Sequence, residues 1–179
     1  GTGRGAFTFT RSRVIAVIAV IVLAAVGVAL PYLTLGYEDF ASQPIRPTHS
    51  LWPAGDMLRR LSLGYLTAGP NAGADQLGHG LDVITAGTSI QQIAVVVAVI
   101  TVVGLCRDEI NKFFWWPLHL SGWLFVAGAT LLFVGAALWR GLEVDVVVGP
   151  GWVPLVLDGG LILVLTFRSW HRIDSYRGL

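Results

Sequence analysis

The sequence predicts an all-α, polytopic membrane protein, a four-transmembrane-helix bundle with a long first extracytoplasmic loop. Three observations carry that expectation. Hydrophobic residues make up 54% of the chain against 13% charged, and the mean hydropathy of +0.69 lies well above the range of soluble domains. Four apolar runs each approach or exceed the roughly 20 residues that a helix needs to cross a hydrocarbon core. Lipid offers the backbone no hydrogen-bond partner, so such runs take the helical form even where Val and Ile favour strand.

Taken in order, residues 1–13 form a cytoplasmic N-terminal segment. The first span, 14–35, follows Arg11 and Arg13 and has no convincing A-x-A site, which makes it a retained signal anchor. Residues 36–83 are the extracytoplasmic loop, punctuated as turns by PIRP, LWPAG and AGPNAG. Within it, DMLRRLSLGYL sets Met57, Leu58, Leu61 and Tyr65 on one helical face. A short interfacial helix near 56–66 is therefore expected, lying on the outer leaflet or packed on the tops of the spans. The second span covers 84–106, a cytoplasmic loop 107–112, and the third span 113–138. A short extracytoplasmic loop, 139–145, leads to the fourth span, 146–167, and a cytoplasmic tail, 168–179.

Lys and Arg near the span ends set the orientation. Arg4, Arg11, Arg13, Arg107, Lys112, Arg168, Arg172 and Arg177 share one side, and Arg46, Arg59, Arg60 and Arg140 the other. Both termini are thus expected in the cytoplasm, with the chain a multi-pass protein of the plasma (cytoplasmic) membrane. Trp115, Trp116, Trp139, Trp152 and Trp170 fall near the span ends, where two aromatic belts belong. The plan resembles the claudin-type tetraspan architecture. The outer loop has no cysteine and lacks the W-G-L-W…C…C pattern of that family, so the resemblance implies topology alone and no residue roles.

A net charge of +1 with no basic run excludes a nucleic-acid partner. The single cysteine, Cys106, allows no internal disulfide and is expected to be a small buried hydrophobe. Metal motifs, phosphate loops and nucleophile elbows are absent from the sequence.

Asp158 stands inside the fourth span. An ionised Asp at the bilayer centre costs about 2.5–3.5 kcal/mol, so the residue must be neutral, paired or beside a wet cavity. It lies near mid-membrane if the helix starts at Val146 and in the outer third if it starts at Trp152. Pro154 removes a backbone donor one turn earlier, and Gly159 and Gly160 thin the helix after it. Asp158 is either a proton-accepting or ligand-contacting carboxylate, or a fixed interhelical contact to Gln91, Gln92 or another subunit.

In FFWWPLHLSGW, Trp115, His119 and Trp123 fall at i, i+4 and i+8, so one face stacks indole, imidazole and indole. That face suits a quinone ring or a lipid head group, or simply a hydrogen-bonded histidine. A bis-histidine haem finds no second ligand at matching depth, because His171 lies beyond span four and His49 and His79 lie on the other side. No cofactor is expected from this chain alone, a bound lipid or quinone being the alternative. Ser121, Gly128 and Gly135 repeat every seven residues beside a second lane of Gly122, Ala129 and Ala136. These two lanes make a helix-packing face. The leading expectation is a non-catalytic accessory or structural subunit packed against other integral-membrane subunits. The alternative is a lipid- or quinone-binding anchor or carrier that uses Asp158 and the Trp115/His119/Trp123 face.

Overall fold

Five helices and four short strands make up most of the described chain. The helices are α1 (Arg11–Ala29), α2 (Leu51–Ala68), α3 (Ala74–Thr101), α4 (Lys112–Leu138) and α5 (Trp152–Arg168). The strands are β1 (Leu33–Glu38), β2 (Pro44–Ile45), β3 (Thr48–His49) and β4 (Asp145–Val148). This computed structural model describes residues 7–38, 44–45, 48–68, 74–107, 110, 112–139 and 145–170. Arg4, Arg46, Arg140, His171, Arg172 and Arg177 lie outside the described residues.

Three helical segments are long and apolar enough to cross a membrane: Arg11–Ala29, His79–Cys106 and Lys112–Leu138. The second joins α3 to a 3₁₀ turn, Val102–Cys106. α5 has 17 residues, about 25 Å of helix, and stands at the short limit for a span. Ile15, Ile18, Ile100, Leu120 and Val164 are exposed around the bundle, as lipid-facing side chains are. One end of the bundle, here termed proximal, gathers the start of α1, the 3₁₀ turn, the start of α4 and the end of α5. There Thr8 N–H donates to Cys106 O at 2.8 Å, tying the segment before α1 to the turn.

Glycines set the helix spacing. A Cβ on Gly87 of α3 would fall 2.7 Å from Gly128 O and 2.8 Å from Leu132 N of α4. One on Gly159 of α5 would fall 2.8 Å from Gly122 O and from Phe125 Cβ. Backbones approach this closely only where side chains are missing, and the approach brings many weak dispersion contacts into range. Between these seams Leu118, Phe125, Leu132, Leu155 and Ile162 are buried and form the core.

The distal end departs from the all-α expectation. β1 pairs antiparallel with β2, β3 and β4, making a small sheet that joins both distal loops. Its register sets Thr34 opposite Thr48 on one side and opposite Val147 on the other. The physical reason lies in the backbone. The loop segments need partners for their amides, and the β-branched run DVVV offers them to β1. Consequently α5 starts at Trp152 rather than at Val146, where the fourth span was expected to begin. Gly149-Pro150-Gly151 separates strand from helix, with Gly149 N–H donating to Tyr32 O at 2.9 Å and Gly151 N–H to Pro31 O at 2.8 Å. A Cβ on Gly149 would run into the Pro31 carbonyl.

Other boundaries shift for local reasons. α1 ends at Ala29 rather than near Leu35 because Pro31 follows and β1 takes over. α3 begins at Ala74, ten residues before the expected span, and near its start Gly80 lies against the backbone of Gly135 and Trp139 at the end of α4. The helix expected near 56–66 extends from Leu51 to Ala68, and its buried face is Leu51, Ala54, Gly55 and Leu58. Leu61 is 44% exposed, Met57 is half-buried, and the Tyr65 side chain lies outside the described set. α2 docks on α3 through Gln92, whose Nε2–H donates to Leu51 O at 3.2 Å while its Oε1 accepts from Arg59 Nη1 at 3.0 Å. Arg59 also pairs with Asp56 at 2.6 Å.

Candidate functional site

α4 carries the aromatic face one turn at a time, and α5 supplies what the sequence did not reveal. Trp115 is 2% exposed and lies parallel to His119, with ring centroids 4.7 Å apart and planes inclined by 10°. Its Nε1–H donates to Thr166 O at 3.0 Å. His119 Nδ1 meets Thr166 Oγ1 at 2.8 Å, and Trp123 Nε1–H donates to His119 Nε2 at 3.3 Å. Phe167 and Trp170 of the proximal end close edge-on against His119 and Trp115.

These partners assign the imidazole proton. An indole N–H can only donate, so Nε2 is the acceptor and the proton sits on Nδ1. Nδ1–H therefore donates to Thr166 Oγ1, whose own proton goes to Ile162 O at 2.8 Å. The donors run in one direction along Trp123, His119 and Thr166, and the Thr166 hydroxyl also lies 3.0 Å from Leu163 O. A net hydrogen bond contributes about 0.5–1.5 kcal/mol, and the aromatic stacking adds a similar amount.

Beside this stack a groove of about 550 Å³ opens laterally between α3 and α4. Ile93 and Val97 of α3 and Trp116, His119, Leu120 and Trp123 of α4 line it. Trp116 and Trp123 are about half exposed along it, and the His119 ring with the Trp123 indole N–H interrupts a largely apolar wall. The volume falls inside the usual range for small-molecule sites, about 300–1,000 Å³.

Asp158 lies elsewhere. It is fully buried, and neither carboxylate oxygen has a hydrogen-bond partner among the described residues. It stands six residues into α5, about 9 Å from the helix start, and eight residues, about 12 Å, from Thr166. Asp158 does not line the groove. The glutamines considered for it are engaged otherwise: Gln91 Nε2–H donates to Phe125 O at 3.0 Å and Gln91 Oε1 accepts from Tyr32 OH at 2.5 Å. Gln92 holds α2.

The small-residue lanes are covered within the chain. Gly128 and Gly135 face α3, where an added Cβ on either would reach Gly87 O or Gly80 O within 3.0 Å. Gly122 faces Gly159 and Leu163 of α5. Ser121 and Ala129 are buried, Ala136 is partly so, and Ser121 Oγ–H donates to Leu118 O at 2.6 Å.

Thr166 and Trp116 are the residues that sequence reasoning overlooked at this site. A threonine next to the last residue of an apolar run was the available signal, since a hydroxyl among apolar side chains needs a partner. Cys106 is buried and free, and no cluster of three or more His, Cys, Asp or Glu that could hold a metal occurs among the described residues. Set against known proteins, the chain matches no family model and no curated protein sequence.

Proposed function

We propose that this chain is a four-span protein of the cytoplasmic membrane, with both termini in the cytoplasm, that binds a lipid or an isoprenoid quinone in the groove between α3 and α4. α5 serves as the fourth span, short but bounded at its proximal end by Arg168. The Lys and Arg distribution along the sequence supports the orientation. One observation carries the binding reading: a hydrogen-bonding His119–Trp123 pair set in the wall of an apolar, laterally open groove. At seven residues from the start of α4, about 10 Å, His119 sits near the depth where an amphiphile's polar part meets its tail.

The accessory-subunit expectation drew its support from the small-residue lanes, the sparse polar groups and an outer loop too small to fold alone. Those lanes pack against α3 and α5 of the same chain, so they no longer argue for a partner. The test is purification of the full chain in mild detergent, followed by mass spectrometry of co-eluting lipids, quinones and proteins. A stoichiometric amphiphile that disappears when Leu120→Trp fills the groove is the expected result. Elution with a stoichiometric membrane partner and no amphiphile would overturn the binding reading in favour of a subunit role.

A further inference from the structure

Building on the groove reading, the geometry points to a more specific occupant: we infer that the groove selects the reduced, hydroxyl-bearing form of a lipid-soluble quinone over the oxidised form. The selectivity comes from the proton placement on His119. Because Nδ1–H is committed to Thr166 Oγ1, Nε2 presents a lone pair toward Trp123. Its partner there, the Trp123 indole N–H, is long at 3.3 Å and belongs to a side chain 52% exposed. A ring hydroxyl placed between the two donates to Nε2 and accepts from the indole, satisfying both. A quinone carbonyl can accept from the indole but cannot donate, so it either leaves Nε2 unpaired or turns the imidazole to its other tautomer, which draws the Thr166 hydroxyl proton away from Ile162 O; one hydrogen bond is lost either way.

The rest of the groove favours a flat ring with an apolar tail. Trp116 and Trp123 stand seven residues apart, about 10 Å along α4, both about half exposed, and they offer indole surfaces on either side of Leu120. Ile93 and Val97 on α3 provide only aliphatic surface, which suits an isoprenoid chain and gives no hydrogen bond. The inference concerns binding alone and assigns no electron transfer.

The experiment uses the full chain, labelled with nitrogen-15 at histidine, in phosphatidylcholine nanodiscs. It is titrated with decyl-ubiquinol under anaerobic reducing conditions and, separately, with decyl-ubiquinone. Affinity is read as the probe-to-lipid ratio that half-saturates the shift of the His119 ring nitrogens. The quinol is expected to saturate at a ratio about ten-fold lower than the quinone, the worth of one hydrogen bond, and to move Nε2 more than Nδ1. Trp123→Phe should weaken both probes and keep the preference, since the selecting lone pair remains. Thr166→Val should shrink the preference by freeing the tautomer. Equal saturation by both forms, or loss of the preference in Trp123→Phe, overturns the selectivity while leaving the groove occupied. If neither probe moves the His119 signals, the inference and the groove reading of the function both fall.

Discussion

Replacing Gly87 with alanine forces α3 and α4 apart, and the structure sets the size of the effect. The new methyl would lie 2.7 Å from Gly128 O, 2.8 Å from Leu132 N and 3.0 Å from Leu131 Cβ. Two of these atoms are backbone, so no rotamer change relieves the clash. Ordinary contact begins at 3.4 Å, so the helices must separate by 0.7 Å, the difference between 3.4 and 2.7 Å. A gap of that size forfeits a quarter to a half of each dispersion contact it widens. Overpacking of this kind costs about 1–3 kcal/mol. Alanine's advantage over glycine as a helix former does not offset it, because separated helices remain helical in a membrane. Gly160→Ala is the control, since nothing lies within 4 Å of the added Cβ. Unfolding of both variants by SDS in mixed micelles, followed by tryptophan fluorescence, should show a loss of about 1–3 kcal/mol for Gly87→Ala and a change within about 0.5 kcal/mol for Gly160→Ala. A Gly87→Ala midpoint equal to the parent's would refute the close helix approach on which the prediction rests.

The other predictions address the polar groups and the sheet. Asp158→Asn should change stability by no more than about 1 kcal/mol in the same assay, because the carboxylate has no partner to lose among the described residues; a loss of about 3–5 kcal/mol would reveal an ion pair at that site. Gln91→Leu removes the acceptor at Tyr32 OH and the side-chain donor to Phe125 O and should cost about 1–3 kcal/mol, against a smaller cost for Thr130→Val on the exposed surface of α4. Gln92→Leu releases α2, so amide exchange across residues 51–62 should accelerate while the Gly87–Gly128 seam stays protected; uniform acceleration would mean that α2 unfolds together with the α3–α4 pair. With Cys106 replaced by serine, cysteines at Thr34 and Val147 should cross-link under mild oxidation, and absence of that cross-link would contradict the pairing of β1 with β4.

What the sequence made legible was what repeats locally. Apolar runs disclosed the long helices, and i, i+4, i+8 spacing placed Trp115, His119 and Trp123 on one side of α4. The seven-residue lanes marked a packing surface, though not whose helix covers it. What escaped was set by contacts between distant residues. Thr166 is 47 positions from His119, and no local period links a threonine on α5 to an imidazole on α4. β4 hid inside an apolar run because Val-rich strand and Val-rich span look alike in hydropathy; the Gly-Pro-Gly that divides them was the only local sign. The docked face of α2 began earlier than the expected one, because Leu51, Ala54 and Gly55 precede the amphipathic stretch and gain their burial from α3.

The sheet also has an order of events written into it. β1 is synthesised early, yet its partner β4 emerges only after three further helices, so the edge at Leu33–Gly36 must wait for Asp145–Val148. During that wait the ribosome delivers α2, α3 and α4, and the α3–α4 hairpin can close with only local chain segments. Arrival of β4 then latches the two distal loops and seats α5, through Gly151 and Pro31, beside the end of α1. Without β4 the Leu33–Gly36 edge of β1 stays unpaired, an open strand edge of the kind that invites wrong pairing.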